Sequence, residues 1–293
     1  TNGIPALELI LGDETTWIMG APAIVTSLID GHPNLNPVDS ESWAAQLVAA
    51  VAEVHSLPIH ESLQAVIQPL YTGLEKSFSR SEPPAKVAQH PLGTDLWRAA
   101  KRLWPAVEKP TSYLVHGDYW AGNTLWKNEK LVAIVDWEEP RIGEPTFDIT
   151  DLVQDAAFSG IDIEQSAIDQ YERVSGRSPR DHKFWSMVVA MGAMPNPGEW
   201  AAGLHLMVGV TITPEEVNLN LTSSSNRLLA DSWPGRFLES WSLGGGGADS
   251  GARMVGPLKN QTHLAIHPFG LMTSFTPLPS PESTIATATS SSV

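Results

Sequence analysis

His116-Gly117-Asp118-Tyr119-Trp120-Ala121-Gly122-Asn123, continued by Thr124-Leu125-Trp126-Lys127 and closed by Leu131 to Val135 and Asp136-Trp137, is the stretch that decides the reading of this chain. Tyr113-Leu114-Val115 lead into it as an apolar strand. Thr124 to Lys127 and Leu131 to Val135 have the length and the β-branched or aromatic content of two short strands, with Asn128-Glu129-Lys130 as the turn between them. Such a hairpin carries Asp136 back beside Asn123. A carboxylate (Asp118), an amide (Asn123) and a second carboxylate (Asp136) then converge despite their separation. Hard oxygen donors of this kind, completed by phosphates and water, suit magnesium. Taken singly, each residue has a simpler reading: Asp118 caps a turn, Asn123-Thr124 is turn chemistry, and Asp136 ends a strand. In register, with apolar strands before both His116 and Asp136, they form one constellation.

The order His-x-Asp, four residues, Asn, then an Asp ending an apolar run resembles the protein-kinase catalytic loop and its metal-binding Asp. Gly117 stands where Arg usually follows the His, and Trp137-Glu138 stands where Phe-Gly would follow the Asp. With those two changes the chain resembles the aminoglycoside phosphotransferase and choline-kinase-like family. The resemblance spans roughly residues 15 to 231, and its specific motifs lie between 113 and 152. It implies an α+β, protein-kinase-like two-lobed fold with a truncated N-lobe, a mainly helical C-lobe and a disordered C-terminal tail. It also implies transfer of the terminal phosphoryl group of ATP (or GTP) to a hydroxyl of a small molecule, with Mg2+. Asp118 would be the base, and Asn123 and Asp136 the metal ligands. His116 would brace the loop by hydrogen bonding, and the family's setting is cytoplasmic.

Downstream, Gly143-Glu144-Pro145-Thr146-Phe147-Asp148-Ile149 resembles the family's Gly-x-Pro-x-x-Asp-Leu stretch, which leads into a helix. Asp148 would stand at that helix start, where a carboxylate accepts backbone N–H groups, and by resemblance would also buttress the catalytic loop. From Asp136 to Glu172 the acidic residues far outnumber the single basic one, Arg141. This is read either as a solvated acidic face or as a cleft focusing a cationic substrate, such as an amino sugar or amino alcohol. Trp137, Glu138, Asp151 and Asp155 are the candidate substrate contacts.

The same resemblance raises an expectation about the first residues. A kinase-like N-lobe has a glycine-rich phosphate loop and a strand-borne Lys. Here no Lys or Arg precedes Lys76, and Gly3, Gly12, Gly20 and Gly31 are isolated. Matching by order puts the hinge that would receive the nucleotide base at Ile24 to Ile29, with Thr26, Ser27, Leu28 and Ile29 as its contacts. The sequence also opens on Thr1, so the first part of the N-lobe is expected to be missing. This divides the chain into a remnant of N-lobe and hinge (1–30), a helical C-lobe (31–231) and a tail (232–293). It also keeps a second reading open, a catalytically silent fragment or pseudokinase-like binding protein. A metal-dependent hydrolase built on His116, Asp118 and Asp136 is a third.

Around the motif, helical spacing of apolar residues predicts helices over 41–56 (capped by Asp39 or Ser40 and stopped by Pro58), 63–78, 94–104, 163–175, 181–194, 199–208 and 214–231. Ser79 to Pro91, with Pro83-Pro84, reads as a loop. His55 reads as structural, and Tyr71, Trp97 and Trp104 read as core. Gly244 to Gly247 and the Ser/Thr/Pro-dominated 273–293 cannot bury enough apolar surface to offset ordering entropy, so the tail is predicted to be disordered.

The formal charge of −15 argues against nucleic-acid binding through phosphates. With no cysteine there is no disulfide, thiolate nucleophile or Cys-based zinc site. No run reaches the length of a membrane span, so no membrane partner is expected. Oligomeric state has no signature in the sequence.

Overall fold

The computed structural model describes residues 7–230 apart from 14, 16, 18, 19, 22 and 204–210, and all of these belong to one unit spanning 1–236. The tail beyond 230, and its predicted disorder, lie outside the described residues. So does the 204–208 portion of the helix expected over 199–208, which opens as a 3-10 turn at Pro197–Trp200.

Strands β1 (Leu9–Asp13) and β2 (Ala23–Thr26) form an antiparallel hairpin, with Leu11 opposite Val25 and Gly12 opposite Ile24. From β2 the chain runs to a second hairpin, where His32 exchanges backbone hydrogen bonds with Trp126 at 3.1 and 2.9 Å. Gly31 permits that approach: a Cβ there would lie 3.0 Å from Val132 Cγ2 and 3.2 Å from the Trp126 carbonyl.

Helix α1 (Ser40–His55) begins where Asp39 accepts from the backbone N–H groups of Glu41 and Ser42 at 3.1 and 3.0 Å. This satisfies two of the donors a helix start leaves open. Trp43, Leu47, Val48, Val51 and Val54 are buried along one stripe, as their spacing predicts.

The single helix expected over 63–78 is two, α2 (Glu61–Gln64) and α3 (Tyr71–Phe78). Pro69 lies between them, and proline removes an N–H and clashes within a helix interior. The intervening backbone instead pairs sideways: Leu70 donates to Ile142 at 2.9 Å and Ile142 to Gln68 at 3.1 Å. The expected loop 79–91 contains a short helix, α4 (Ala85–Gln89), entered from Pro84 and anchored by buried Val87. Helix α5 (Gly93–Leu103) follows, and its buried Leu96 and Trp97 point inward.

Strands β3 (Leu114–Val115) and β6 (Arg141–Ile142) pair antiparallel, as do β4 (Thr124–Lys127) and β5 (Lys130–Ile134). Helices α6 (Thr146–Phe158), α7 (Glu164–Ser175), α8 (His182–Gly192) and α9 (Pro214–Ala230) complete the described unit. Helix α1 packs on α7, and α6 on α8. One core joins Leu47 and Val51 of α1, Ile149 and Leu152 of α6 and Tyr171 of α7 to the loop between β3 and β4. Beside it lies an aromatic cluster in which Trp104 stacks on Phe184 at 5.7 Å and Phe78 meets Trp104 at 5.5 Å. Tyr71 and Trp97 are buried, as expected, while Trp104 is half-buried. The result is a mixed, mostly helical fold with small two-stranded sheets. No helix among the described residues is long and apolar enough to cross a membrane.

Candidate active site

The loop between β3 and β4 turns on Gly117, whose φ of +88° suits glycine. A Cβ there would fall 2.0 Å from the Glu139 carbonyl. Asp118 follows, half-buried, and a 3-10 turn at Ala121–Asn123 brings Asn123 back to it. Asn123 Nδ2 donates to both the Asp118 carbonyl and Asp118 Oδ2, each at 2.9 Å. With its NH2 group turned to Asp118, the Asn123 side chain keeps its carbonyl oxygen for another ligand. Trp120 lies over Gly122, where a Cβ would sit 2.1 Å from the indole ring.

The hairpin returns as its sequence predicts. Val135 donates to the Asn123 carbonyl at 2.9 Å, which sets Asp136 beside the loop. Asp136 itself is exposed and has a φ of +63°, a left-handed conformation that Asp tolerates better than most residues. Trp137 is half-buried. Its ring packs on His116 at 4.5 Å, and its Nε1 donates to the Ile134 carbonyl at 3.3 Å. Glu138 is exposed.

His116 is fully buried, and its Nε2 lies 3.0 Å from the Val135 carbonyl, a link between the loop and the end of β5. Beneath them sits Asp148. It does not cap its own helix; its carboxylate accepts from His116 N at 2.7 Å and Gly117 N at 3.0 Å, and contacts His55 Nε2 at 3.0 Å. His55 Nδ1 in turn meets the Tyr171 hydroxyl at 3.1 Å. The sequence carries no local signal for this pairing, since His55 and Asp148 stand 93 residues apart. Helix α1 holds the neighbourhood at two more points. The Leu47 carbonyl accepts from the buried Tyr119 hydroxyl at 2.8 Å, and Gln46 spans the hairpin turn, donating to the Glu129 carbonyl and accepting from Leu131 N, both at 3.1 Å.

Asp151 and Asp155 lie on α6 within electrostatic reach of Asp118. Burial pushes Asp155 up from 3.8 to about 8, and the Asp118 charge adds to it. Burial also raises Asp151 well above the carboxylate range, with Asp118, Asp155 and Asp148 adding and a backbone hydrogen bond at Tyr119 opposing. Asp155 also lines a shallow surface cleft with Leu35, Trp43 and Ala121. The acidic run is therefore neither uniformly solvated nor uniformly charged.

The residues expected to form the hinge lie at the end of the first hairpin and just after it. Thr26 pairs with Leu9 in the first hairpin, Ser27 N donates to the Glu8 carbonyl at 2.8 Å, and Glu8 N donates to Ser27 Oγ at 2.9 Å. Leu28 is 96 % exposed and Ile29 half-buried. They lead, through His32, onto β4.

Among the described residues no group of three or more His, Asp or Glu is arranged to hold a metal ion by itself. Asn123 and Asp136 offer two oxygen donors, which fits magnesium, an ion usually held by one or two protein oxygens with phosphates and water completing its shell.

The sequence matches the phosphotransferase enzyme family APH over residues 1–185. The chain belongs to that family. No curated protein matches it. Among solved structures, a thermostable mutant of the aminoglycoside phosphotransferase APH(4)-Ia, in complex with AMP-PNP and hygromycin B, is 14% identical, with 80% of this chain and 79% of that one covered at a TM-score of 0.51. A presumed aminoglycoside phosphotransferase from Ralstonia eutropha is 14% identical, with 78% of each chain covered and a TM-score of 0.50. The macrolide 2'-phosphotransferase MphH from Brachybacterium faecium is 19% identical, with 74% and 73% covered and a TM-score of 0.45. The first two place this phosphotransferase-family chain in the kinase-like phosphotransferase fold.

Proposed function

We propose that this chain transfers the terminal phosphoryl group of ATP (or GTP) to a hydroxyl of a small molecule. The observation that carries the reading is the Asp118–Asn123 pair, closed at 2.9 Å in a loop whose His116 and Gly117 amides are held by the buried Asp148, with Asp136 returned toward it by the β4–β5 hairpin. Phosphoryl transfer asks for positioned groups and charge stabilisation more than for covalent help from the protein. Asp118 would hold the acceptor hydroxyl and take its proton as the oxygen attacks. Asn123 and Asp136 would hold magnesium, which neutralises phosphate charge when bound. His116 and Asp148 would keep the loop in place, and Thr26 to Ile29 would receive the base.

The acceptor is proposed to be cationic, an aminoglycoside or another amino alcohol, meeting Trp137, Glu138, Asp151 and Asp155. The acidic run supports this, and the raised Asp151 and Asp155 refine it. A docked ammonium group favours their ionised forms, so binding of such an acceptor near neutral pH would release protons.

Calorimetric titration of the 293-residue chain with ATP and magnesium tests the reading, with Asp136→Ala as control. Magnesium-dependent binding that disappears in the control supports the kinase. A folded chain that binds no nucleotide refutes it in favour of a silent binding protein, the reading motivated by the lack of any Lys or Arg before Lys76.

A further inference from the structure

We propose that Arg141 is a positioning residue for the catalytic loop: its guanidinium folds back on the turn at Glu139-Pro140 and holds that turn against Gly117, next to Asp118. The proposal rests on the reading of the Asp118 loop as the seat of transfer.

The segment that leaves Asp136 lies along the approach to Asp118. The Trp137 ring packs on the His116 ring at 4.5 Å. The Glu139 carbonyl sits on Gly117, where a Cβ would fall 2.0 Å from its oxygen and 3.7 Å from Arg141 Cγ. Arg141 itself pairs with Val115 across the β3–β6 ladder. Alternate residues of 137–141 thus rest on Val115, His116 and Gly117, the three residues before Asp118.

Pro140, in the middle of this segment, has no N–H to offer a ladder. The Arg141 guanidinium supplies bonds there instead: Nη1 donates to the Pro140 carbonyl at 3.0 Å, and Nη2 pairs with the Glu139 carboxylate. The two charged side chains are only 21 % and 18 % exposed. They differ in this from the open Lys127–Asp30 pair, of the kind that contributes little. Two acceptors on successive residues suit the planar fork of a guanidinium, which an ammonium does not reproduce. Arg141 is also the single basic residue between Asp136 and Glu172, so no neighbour in the segment can take its place.

The turn links the two carboxylates of the site from outside. Asp118 follows Gly117 directly, and Asp136 directly precedes Trp137. Gly117 has little slack, because it already occupies a left-handed conformation beneath the Glu139 carbonyl. Loosening the turn therefore moves Gly117, and Asp118 with it. Misplacement of a reacting group by about 1 Å from a remote change costs on the order of 100-fold in rate.

The test uses the 15N-labelled full chain as wild type, Arg141→Gln, Arg141→Lys and Glu139→Gln. Arg141→Gln should keep the fold yet shift the Gly117 and Asp118 amides and speed their exchange about tenfold or more. Arg141→Lys keeps the charge but loses the fork, and should resemble Arg141→Gln rather than wild type. Glu139→Gln, whose amide oxygen still accepts from the guanidinium, should be intermediate. In magnesium-dependent ATP turnover, both Arg141 variants should lower kcat by about 10- to 100-fold while the nucleotide KM stays within about twofold. General loss of stability would not produce that split. An Arg141→Lys chain that matches wild type overturns the proposal, since charge alone would then suffice. So do unmoved Gly117 and Asp118 amides in a folded Arg141→Gln chain, or a raised KM with unchanged kcat. Should both Arg141 variants fail to fold, the amide shifts of Glu139→Gln decide alone. Should the wild type turn over no ATP, the amide readouts still decide the role of Arg141, so its failure is distinct from failure of the kinase reading.

Discussion

Replacing Asp155 by Asn removes a carboxyl group that burial has moved from 3.8 to about 8, and keeps its shape. The sign follows from proton counting. Between those two values the native chain holds a proton that the unfolded chain has released, so native stability falls as pH rises through that window and levels off above it. At about 1.36 kcal/mol per pH unit, the whole span is worth roughly 6 kcal/mol at most. Asp155 is half-buried on α6, and water at its rim together with relaxation of its neighbours reduces the figure. We expect about 2 kcal/mol, or about 4–8 °C in Tm for a domain of this size. Urea unfolding of wild type and Asp155→Asn from about pH 3.5 to pH 9 is the assay, with the slope required to stay constant. The two proteins should be nearly equal at the acid end and diverge in favour of Asn as pH rises. The same change also takes one of the raising charges off Asp151, which sharpens the divergence. A gap between the proteins that does not change with pH would refute the argument, because the Asp155 carboxyl would then titrate as an ordinary surface group.

Asp118→Ala should abolish phosphoryl transfer while moving the unfolding midpoint little, and substantial surviving turnover would remove Asp118 from the mechanism. Asp136→Asn should weaken magnesium-dependent nucleotide binding more than Asp118→Ala does; equal affinity in wild type and Asp136→Asn, with magnesium present, would defeat its assignment as a metal ligand. Gly117→Ala must resolve both the left-handed φ and the clash with the Glu139 carbonyl. It should cost about 2 kcal/mol or more in chemical denaturation, and a cost below about 0.5 kcal/mol would mean the loop has more freedom than its geometry indicates.

The parts legible in the sequence were those that depend on short-range pattern. The β4–β5 hairpin and the approach of Asn123 to Asp118 follow from a few residues in order, and α1 follows from Asp39 and a stripe of apolar side chains. The break at Pro69 was legible in principle, but the apolar spacing over 63–78 hid it, and the backbone there pairs with β6 rather than with itself. Helix α4 escaped because Pro83-Pro84 signals a turn, whereas buried Val87 is what fixes the segment. Nothing local could join His55 to Asp148 or Tyr171, since those contacts are made by the packing of α1 against α6 and α7. The neutral tendency of Asp151 and Asp155 was equally hidden, because acidic residues close in sequence look charged until their burial is known.

Helix α1 supplies none of the candidate oxygen donors. Yet Gln46 clasps the turn of the β4–β5 hairpin, the Leu47 carbonyl receives Tyr119, and His55 reaches Asp148. In a saturation mutagenesis screen scored on function, this helix should therefore appear among the least permissive segments, its inward positions depleted alongside the loop itself. Evolution toward a new acceptor would find little room there, and variants with altered specificity would have to arise on surfaces that α1 does not hold in place.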